Sequence, residues 1–182
     1  MQQPFKKITI IGPESTGKSY LSAYLAGQYR SHWVPEYARE YLLENGRSYG
    51  PGDLLRIARG QQELENKAVS LHEQAFGAAP LFCDTDLWVI KVWSEFVFGS
   101  CDPWILEQIA ATRCDLYLLC NTDLPWVQDE LREYPDLQTR EILFHIYKDL
   151  LVNQPVPWVE IAGTPDQRLQ RACLAVDHCL GV

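Results

Sequence analysis

Residues 12–19 read GPESTGKS, a complete G-x-x-x-x-G-K-[ST] pattern, and what flanks it decides the fold. FKKITII at 5–11 is a short run dominated by β-branched residues and predicts a buried strand. LSAYLAGQY at 21–29 follows, with Leu21, Tyr24, Leu25 and Gln28 at helical spacing. A strand, a glycine-bracketed loop and a helix in that order aim successive backbone N–H groups at one point, where an anion can sit. The stretch therefore reads as a phosphate loop, and the ligand class it implies is a nucleoside triphosphate.

Outward from the loop, strand-like runs recur at FKKITII, HWVPE, PLFCD, CDLYLLC and VPWVEIA, separated by helical patterns. That alternation predicts an α/β fold in three layers, α/β/α, with a five-stranded parallel sheet covered on both faces. The longest helix is expected over 53–76, where Leu54, Ile57, Ala58, Gln61, Leu64, Ala68, Leu71 and Ala75 form a stripe, with Gly60 an unfavourable residue inside it. Further helices are expected over 138–151 and 165–180. The segment 121–137 has two prolines, dense charge and weak periodicity, so it reads as a mobile excursion from the sheet. A lid of approximately 123–140 is the corresponding expectation.

With 182 residues, 47% of them hydrophobic, the chain is expected to form one domain, 1–182, with room for a single sizeable core. Twenty-four acidic against sixteen basic side chains leave a net charge of −8, which repels a phosphate backbone and argues against a nucleic-acid partner. The six cysteines, Cys83, Cys101, Cys114, Cys120, Cys173 and Cys179, contain no C-x-x-C pair, and the N-terminus shows no apolar signal segment. Reduced thiols and a cytoplasmic location follow as expectations. No apolar run approaches the about 18 residues that cross a bilayer, so no membrane partner is expected. His32, His72, His145 and His178 are scattered without ligand spacing, and no structural metal is expected.

Within the loop, Lys18 is the residue to reach the β- and γ-phosphates, and the Ser19 hydroxyl is the natural ligand for Mg²⁺. The acidic partner of the ion should lie at the end of a neighbouring strand, where LFCDTD supplies Asp84 and Asp86. Asp84 is assigned to the metal side; an Asp-Thr-Asp start is also good helix-capping chemistry for one of the pair. Glu36, at the tip of HWVPE, is a carboxylate that could accept a substrate proton, and Asp86 competes for that role; a first-turn glutamate favoured by the helix dipole is the plainer reading of Glu36. Tyr37, Trp88, Trp93, Trp104 and Trp126 lie near strand ends, with Trp93 and Trp126 the better candidates to stack a flat heterocycle. A positively charged ring would be favoured there. Arg132 and Arg140 flank Pro135 and could clamp a transferring phosphoryl group, or pair with Glu130, Glu133 or Glu141; Arg39 is open to the same two readings. Asn121-Thr-Asp123 matches a guanine-reading N-K-x-D poorly, which disfavours a regulatory GTPase.

GPESTGKS, VPEYAREYL at 34–42, IARGQ at 57–61, DTDLWVIKVWSEFVFG at 84–99 and DLPWVQDELR at 123–132 together resemble the ribosylnicotinamide kinase domain of the NadR type, over most of the chain and in order. The resemblance implies a P-loop kinase fold with a short lid, ATP and Mg²⁺ as cofactors, and phosphorylation of the 5′-hydroxyl of nicotinamide riboside to nicotinamide mononucleotide. It implies phosphate-binding roles for Gly12, Pro13, Glu14, Ser15, Thr16, Gly17, Lys18 and Ser19, with Tyr20 and Arg140 in the same cofactor site, and metal roles for Ser19 and Asp84. It puts substrate-side acidic roles on Glu36, Asp84 and Asp86, lid roles on Arg132 and Arg140, and stacking roles on Trp93 and Trp126; Tyr37 and Arg39 are expected beside Glu36, Asp86, Trp93 and Trp126 in the acceptor site, with Lys18, Glu36, Asp86 and Arg132 in the chemistry. Nothing resembles the H-x-G-H motif of the adenylyltransferase domain in bifunctional relatives, so a stand-alone kinase is expected. The lid departs from the expected Asp-Gly-Leu-Arg, reading Asp129-Glu-Leu-Arg132. Rival expectations are a P-loop kinase for another nucleoside or nucleotide and a regulatory NTP-binding switch. Oligomeric state is left open.

Overall fold

The computed structural model describes residues 5–182; residues 1–4 of the expected single-domain range lie outside the described residues. The elements run β1 (Lys7–Ile11), α1 (Lys18–Gln28), β2 (Trp33–Val34), α2 (Tyr37–Asn45), α3 (Pro51–Phe76), β3 (Leu81–Asp84), α4 (Leu87–Phe98), α5 (Pro103–Ala111), β4 (Leu116–Cys120), α6 (Leu137–Val152), β5 (Trp158–Ile161) and α7 (Pro165–Leu180). All five strands pair in parallel in the order β2-β3-β1-β4-β5. The predicted three-layer α/β architecture is the one observed.

Strand periodicity divides the core. Ile8 and Ile10 of β1, with Phe82, Leu116, Leu118, Cys120 and Ile161, face α1 and α7 through Leu21, Leu25, Ala172 and Val176. The opposite face carries Ile11, Tyr117 and Leu119 against α4 and α6, through Val89, Val92, Leu143, Phe144, Tyr147 and Leu151. A satellite cluster joins α2, α3, α4 and α5 around Leu54, Ile57, Leu87, Ile90 and Ile105. The second strand is only two residues long, and Glu36, expected at its tip, instead begins a helix.

Two predicted stripes shift. On α1, Tyr24 and Gln28 are exposed and the buried face is Leu21, Ser22, Leu25 and Ala26. On α3 the first half follows the predicted stripe, but Leu71 and Ala75 are exposed while Glu65 and His72 are buried. Glu65 pairs there with Lys7, and His72 bonds to the Ala79 carbonyl at 2.7 Å while packing 4.4 Å from the Phe5 ring, so these contacts set the buried face of the helix's C-terminal half. Gly60 does not interrupt α3: a Cβ there would lie 2.0 Å from the Tyr37 ring, and only glycine admits that contact.

Candidate functional site

The ends of β1, β2 and β3 open onto a cleft of about 530 Å³ at the C-terminal edge of the sheet. Because β1 has β3 on one side and β4 on the other, the chain order reverses at β1, the place where open α/β sheets take ligands.

Residues 12–17 turn sharply enough to need glycine twice. Gly12 sits at φ +143, and a Cβ on it would lie 2.7 Å from the Cys120 carbonyl oxygen. Gly17 caps α1 at φ 79, and Ser15 also adopts a left-handed φ of 57. The Thr16 hydroxyl and the Lys18 ammonium both donate to the Pro13 carbonyl, at 2.7 and 2.9 Å, which closes the loop on itself. From behind, the buried Arg168 of α7 donates to the Thr16 carbonyl at 2.6 Å and to Asp123 Oδ1 at 2.6 Å.

Asp84 ends β3 with Ile10 as its register partner, which sets it beside the loop. It is buried, and Oδ1 has no partner. Burial raises its carboxyl pKa, against the pull of the Lys18 charge and of a hydrogen bond from the Ser19 hydroxyl. A hydroxyl beside an orphaned carboxylate oxygen is an all-oxygen donor set, which fits Mg²⁺.

Asp86 faces elsewhere. Residues two apart in a regular strand share a face, but Thr85 adopts φ 79, a left-handed conformation that a β-branched residue rarely takes, and this parts the two aspartates. Asp86 Oδ1 accepts from the Trp88 N–H at 2.9 Å as the cap of α4, and Oδ2 accepts from the Tyr117 hydroxyl at 2.9 Å. Burial, with the nearby Glu65 charge, pushes its carboxyl up to about 6. Asp86 thus lies beneath the cleft, outside its lining, while Glu36 lines the cleft directly. The Glu36 carboxyl is raised by burial; Lys18 opposes the rise and Asp84 adds to it.

Residues 121–136 contain no helix or strand and lie folded onto the phosphate loop. The Glu14 carboxylate accepts from the Glu133 N–H at 2.9 Å, the Tyr134 N–H at 2.6 Å and Trp126 Nε1 at 3.4 Å. Ser15 Oγ accepts from the Val127 N–H at 2.9 Å and from Arg132 Nη1 at 3.3 Å. Arg39 of α2 grips Asp129 with two hydrogen bonds, at 3.2 and 2.9 Å. Arg140 is separated from this group: it is buried in α6, donates to the Thr122 and Leu124 carbonyls at 3.3 and 3.4 Å, and does not line the cleft. Among the described residues neither Arg132 nor Arg140 pairs with Glu130, Glu133 or Glu141.

Trp93 lines the cleft, and its indole N–H donates to the Tyr49 hydroxyl at 2.9 Å, which donates to Glu133 Oε2 at 2.7 Å. Tyr20 lines the outer rim and is exposed. The Tyr37 ring and Trp126 are not part of the lining; Trp104 carries Arg59 5.2 Å above its ring, and Trp88 packs into the core beneath the sheet. Sequence reasoning missed Tyr147 and Leu143 on the cleft wall, Asp129 as the anchor of Arg39, and Arg168 behind the loop. Each is distant in sequence from what it touches, and no local pattern marks it.

Among the described residues no helix is long and apolar enough to cross a membrane, and no cluster of three or more metal-ligating side chains occurs. The chain is 26% identical over 188 aligned positions to the trifunctional NAD biosynthesis/regulator protein NadR of Salmonella typhimurium and, equally, to NadR of Escherichia coli. The alignment covers 98% of this chain and 44% of each relative, so the chain spans less than half the length of the curated relatives it matches. Crystal structures of NadR in complex with NR, and with NAD and AMP-PNP, superpose with TM-scores of 0.71 and 0.69 at 24% identity, covering 98% of this chain and 50% of those chains, which is a likeness of fold. With the AAA domain model matching residues 7–168, nearly the whole α/β core and its phosphate loop, the chain belongs to the AAA domain family.

Proposed function

We propose that this chain is an ATP-dependent kinase that transfers the γ-phosphoryl group of ATP to the 5′-hydroxyl of nicotinamide riboside, giving nicotinamide mononucleotide and ADP. The observation that carries the reading is the meeting, in one cleft, of Lys18 and Ser19 with two carboxylates of different circumstance: Asp84, buried with an unpartnered oxygen, and Glu36, on the open wall. The similarity to NadR, whose name places it in NAD biosynthesis and one of whose structures holds NR, supports nicotinamide riboside as the acceptor. Trp93 and Glu133 on the cleft wall suit a flat, cationic pyridinium.

In this mechanism the loop's N–H groups and Lys18 hold the phosphates, while Arg132 stands over the loop from the lid. Ser19 and Asp84 would hold Mg²⁺, which supplies charge neutralisation for the transferring group. Glu36 accepts the proton of the 5′-hydroxyl as its oxygen forms a bond to the γ-phosphorus and the bond to the β,γ-bridging oxygen breaks. Asp86, with both oxygens engaged beneath the cleft, holds the start of α4 and does not receive that proton. The six free thiols accord with a reducing compartment, and the cytoplasm is the proposed location.

Steady-state phosphorylation by Mg-ATP across nicotinamide riboside, its mononucleotide and the common nucleosides, with the Lys18→Ala protein as blank, tests the reading. Turnover of the riboside in preference to the other acceptors is the expected result. Turnover of another nucleoside alone, or ATP hydrolysis that no acceptor accelerates, overturns it.

A further inference from the structure

Helix α2 begins at the cleft, and its first turn is held by α3 instead of by its own cap. Glu36 stands at the N-cap position with extended backbone, φ −71 and ψ 114, yet its side chain makes no capping hydrogen bond. The Tyr37 N–H, an orphan donor at a helix start, donates to Gln61 Oε1 at 2.8 Å. The amide nitrogen of the same Gln61 donates to Glu65 Oε1 at 3.4 Å, and Glu65 is paired with the buried Lys7 of β1. The glutamine therefore has one usable orientation, since a flipped amide would set its NH₂ against the Tyr37 N–H. One residue earlier, Gly60 lies under the Tyr37 ring so closely that an added Cβ would fall 2.0 Å from Cε1 and 2.3 Å from Cδ1. Glycine inside a helix costs about 1 kcal/mol relative to alanine, and the return at this position is the ring contact.

We propose that Gly60 and Gln61 form a clamp that positions Glu36: by gripping the backbone and ring of Tyr37 they cap α2 from a neighbouring helix and leave the Glu36 carboxylate free to face the cleft. The proposal rests on the reading of Glu36 as the group that takes the acceptor's proton. Without the clamp the Tyr37 N–H loses its acceptor and the first turn loosens, and the Glu36 side chain at the N-cap position is free to fold back onto the open N–H groups of that turn. A carboxylate folded back onto a helix N-terminus is stabilised there by the N–H groups and the helix dipole, and is withdrawn from the hydroxyl it should meet. Gln61 and Gly60 are positioning residues: neither lines the cleft.

The test places Gln61→Leu and Gly60→Ala in the native background and in the Glu36→Gln background, reading kcat and KM for ATP and acceptor beside the melting temperature. Native protein is assayed first on nicotinamide riboside and the common nucleosides, and the clamp is scored on whichever acceptor turns over, so a wrong acceptor and a wrong clamp give different results. Each clamp variant is expected to lower kcat by about tenfold or more while KM for ATP stays within about twofold, because placement of one group is lost and nucleotide binding is not. In the Glu36→Gln background the same substitutions should cost little further, since the group they position is gone. Tyr37→Ala, which removes the ring that Gly60 receives, should lower kcat in the same sense, and Gly60→Ala added to it should cost little further, because the ring it would displace is gone. Losses that multiply with that of Glu36→Gln, an unchanged kcat in Gly60→Ala, or a Gly60→Ala loss that persists undiminished in the Tyr37→Ala background overturns the clamp. If Gln61→Leu does not fold, the Gly60 and Tyr37 series decides alone; turnover with no acceptor at all overturns clamp and kinase reading together.

Discussion

Glu36 and Asp86 are the same chemical group given opposite circumstances by one twisted residue and one helix cap. If Glu36 takes the proton, Glu36→Gln lowers kcat by about 10²- to 10⁴-fold and leaves nucleotide affinity near native, as single-turnover kinetics and equilibrium binding will read. The carboxyl's raised pKa sets the sign of the pH dependence: the base must be ionised, so kcat falls as pH falls through a value above the ordinary 4.5 of glutamate. Asp86 gives a stability prediction. Its carboxyl is at about 6 in the folded chain against 3.8 ordinarily, so the folded state holds a proton that the unfolded state releases. The cost of ionising it is absent below the unfolded value, grows between the two, and is complete above about 6, where it reaches about 3 kcal/mol. Asparagine keeps an acceptor for the Trp88 N–H and a partner for the Tyr117 hydroxyl without the charge. Asp86→Asn should therefore be more stable than native near about pH 7 and lose that gain near about pH 4 in urea unfolding; an equal difference at both sinks the argument.

At the scale of elements the segment 121–136, the proposed lid, is tied to the loop beneath it. Glu14 satisfies two lid N–H groups and the Trp126 indole, so Glu14→Ala removes three acceptor contacts together. Limited proteolysis between 121 and 136 should become faster by about tenfold, as each lost hydrogen bond to a charged group costs about 1.5–3 kcal/mol and the lid opens more often. Native-like protection in that variant would mean that Ser15 and the Arg39–Asp129 pair suffice. Glu130, where the family resemblance leads one to expect glycine, does not sit at positive φ, so the backbone does not need glycine there. Glu130→Gly should change turnover by less than about twofold. This is also the scale at which legibility in the sequence ends. The phosphate loop, its strand and its helix are written in adjacent residues, and Asp84 can be picked out because a strand end next to that loop is where an acidic partner is expected; the structure sets it beside the loop. The lid's attachment spans 112 to 120 positions, from Glu14 to Trp126 and Tyr134, and Arg168 reaches Thr16 across 152. In the sequence Gln61 is one more position on a helical stripe; only the arrival of α2 against α3 gives its amide a task. The left-handed Thr85 that separates Asp84 from Asp86 has no sequence signal, because threonine is among the residues least expected there.

For the whole molecule, the cleft draws on all its parts at once, so ligand binding should report on global stability. The loop follows β1, Asp84 ends β3, Glu36 begins α2, and residues 121–136, before α6, lie on the loop. A nucleotide that contacts all of these binds the folded chain and has no counterpart site in the unfolded one. At 100 times its dissociation constant such a ligand adds about 2.7 kcal/mol, and for a domain of this size that corresponds to roughly 5–10 °C in melting temperature. Mg-ATP should produce that rise in differential scanning fluorimetry, and chelation of the metal should reduce it, because Asp84 then faces the phosphates with its burial cost uncompensated. Lys18→Ala should melt below the native protein without nucleotide, since its charge offsets the burial of Asp84 and Glu36, and should lose most of the rise when Mg-ATP is added. A Lys18→Ala protein that still gains the full shift would place the nucleotide somewhere other than the phosphate loop, and the assignment of the cleft would fall with it.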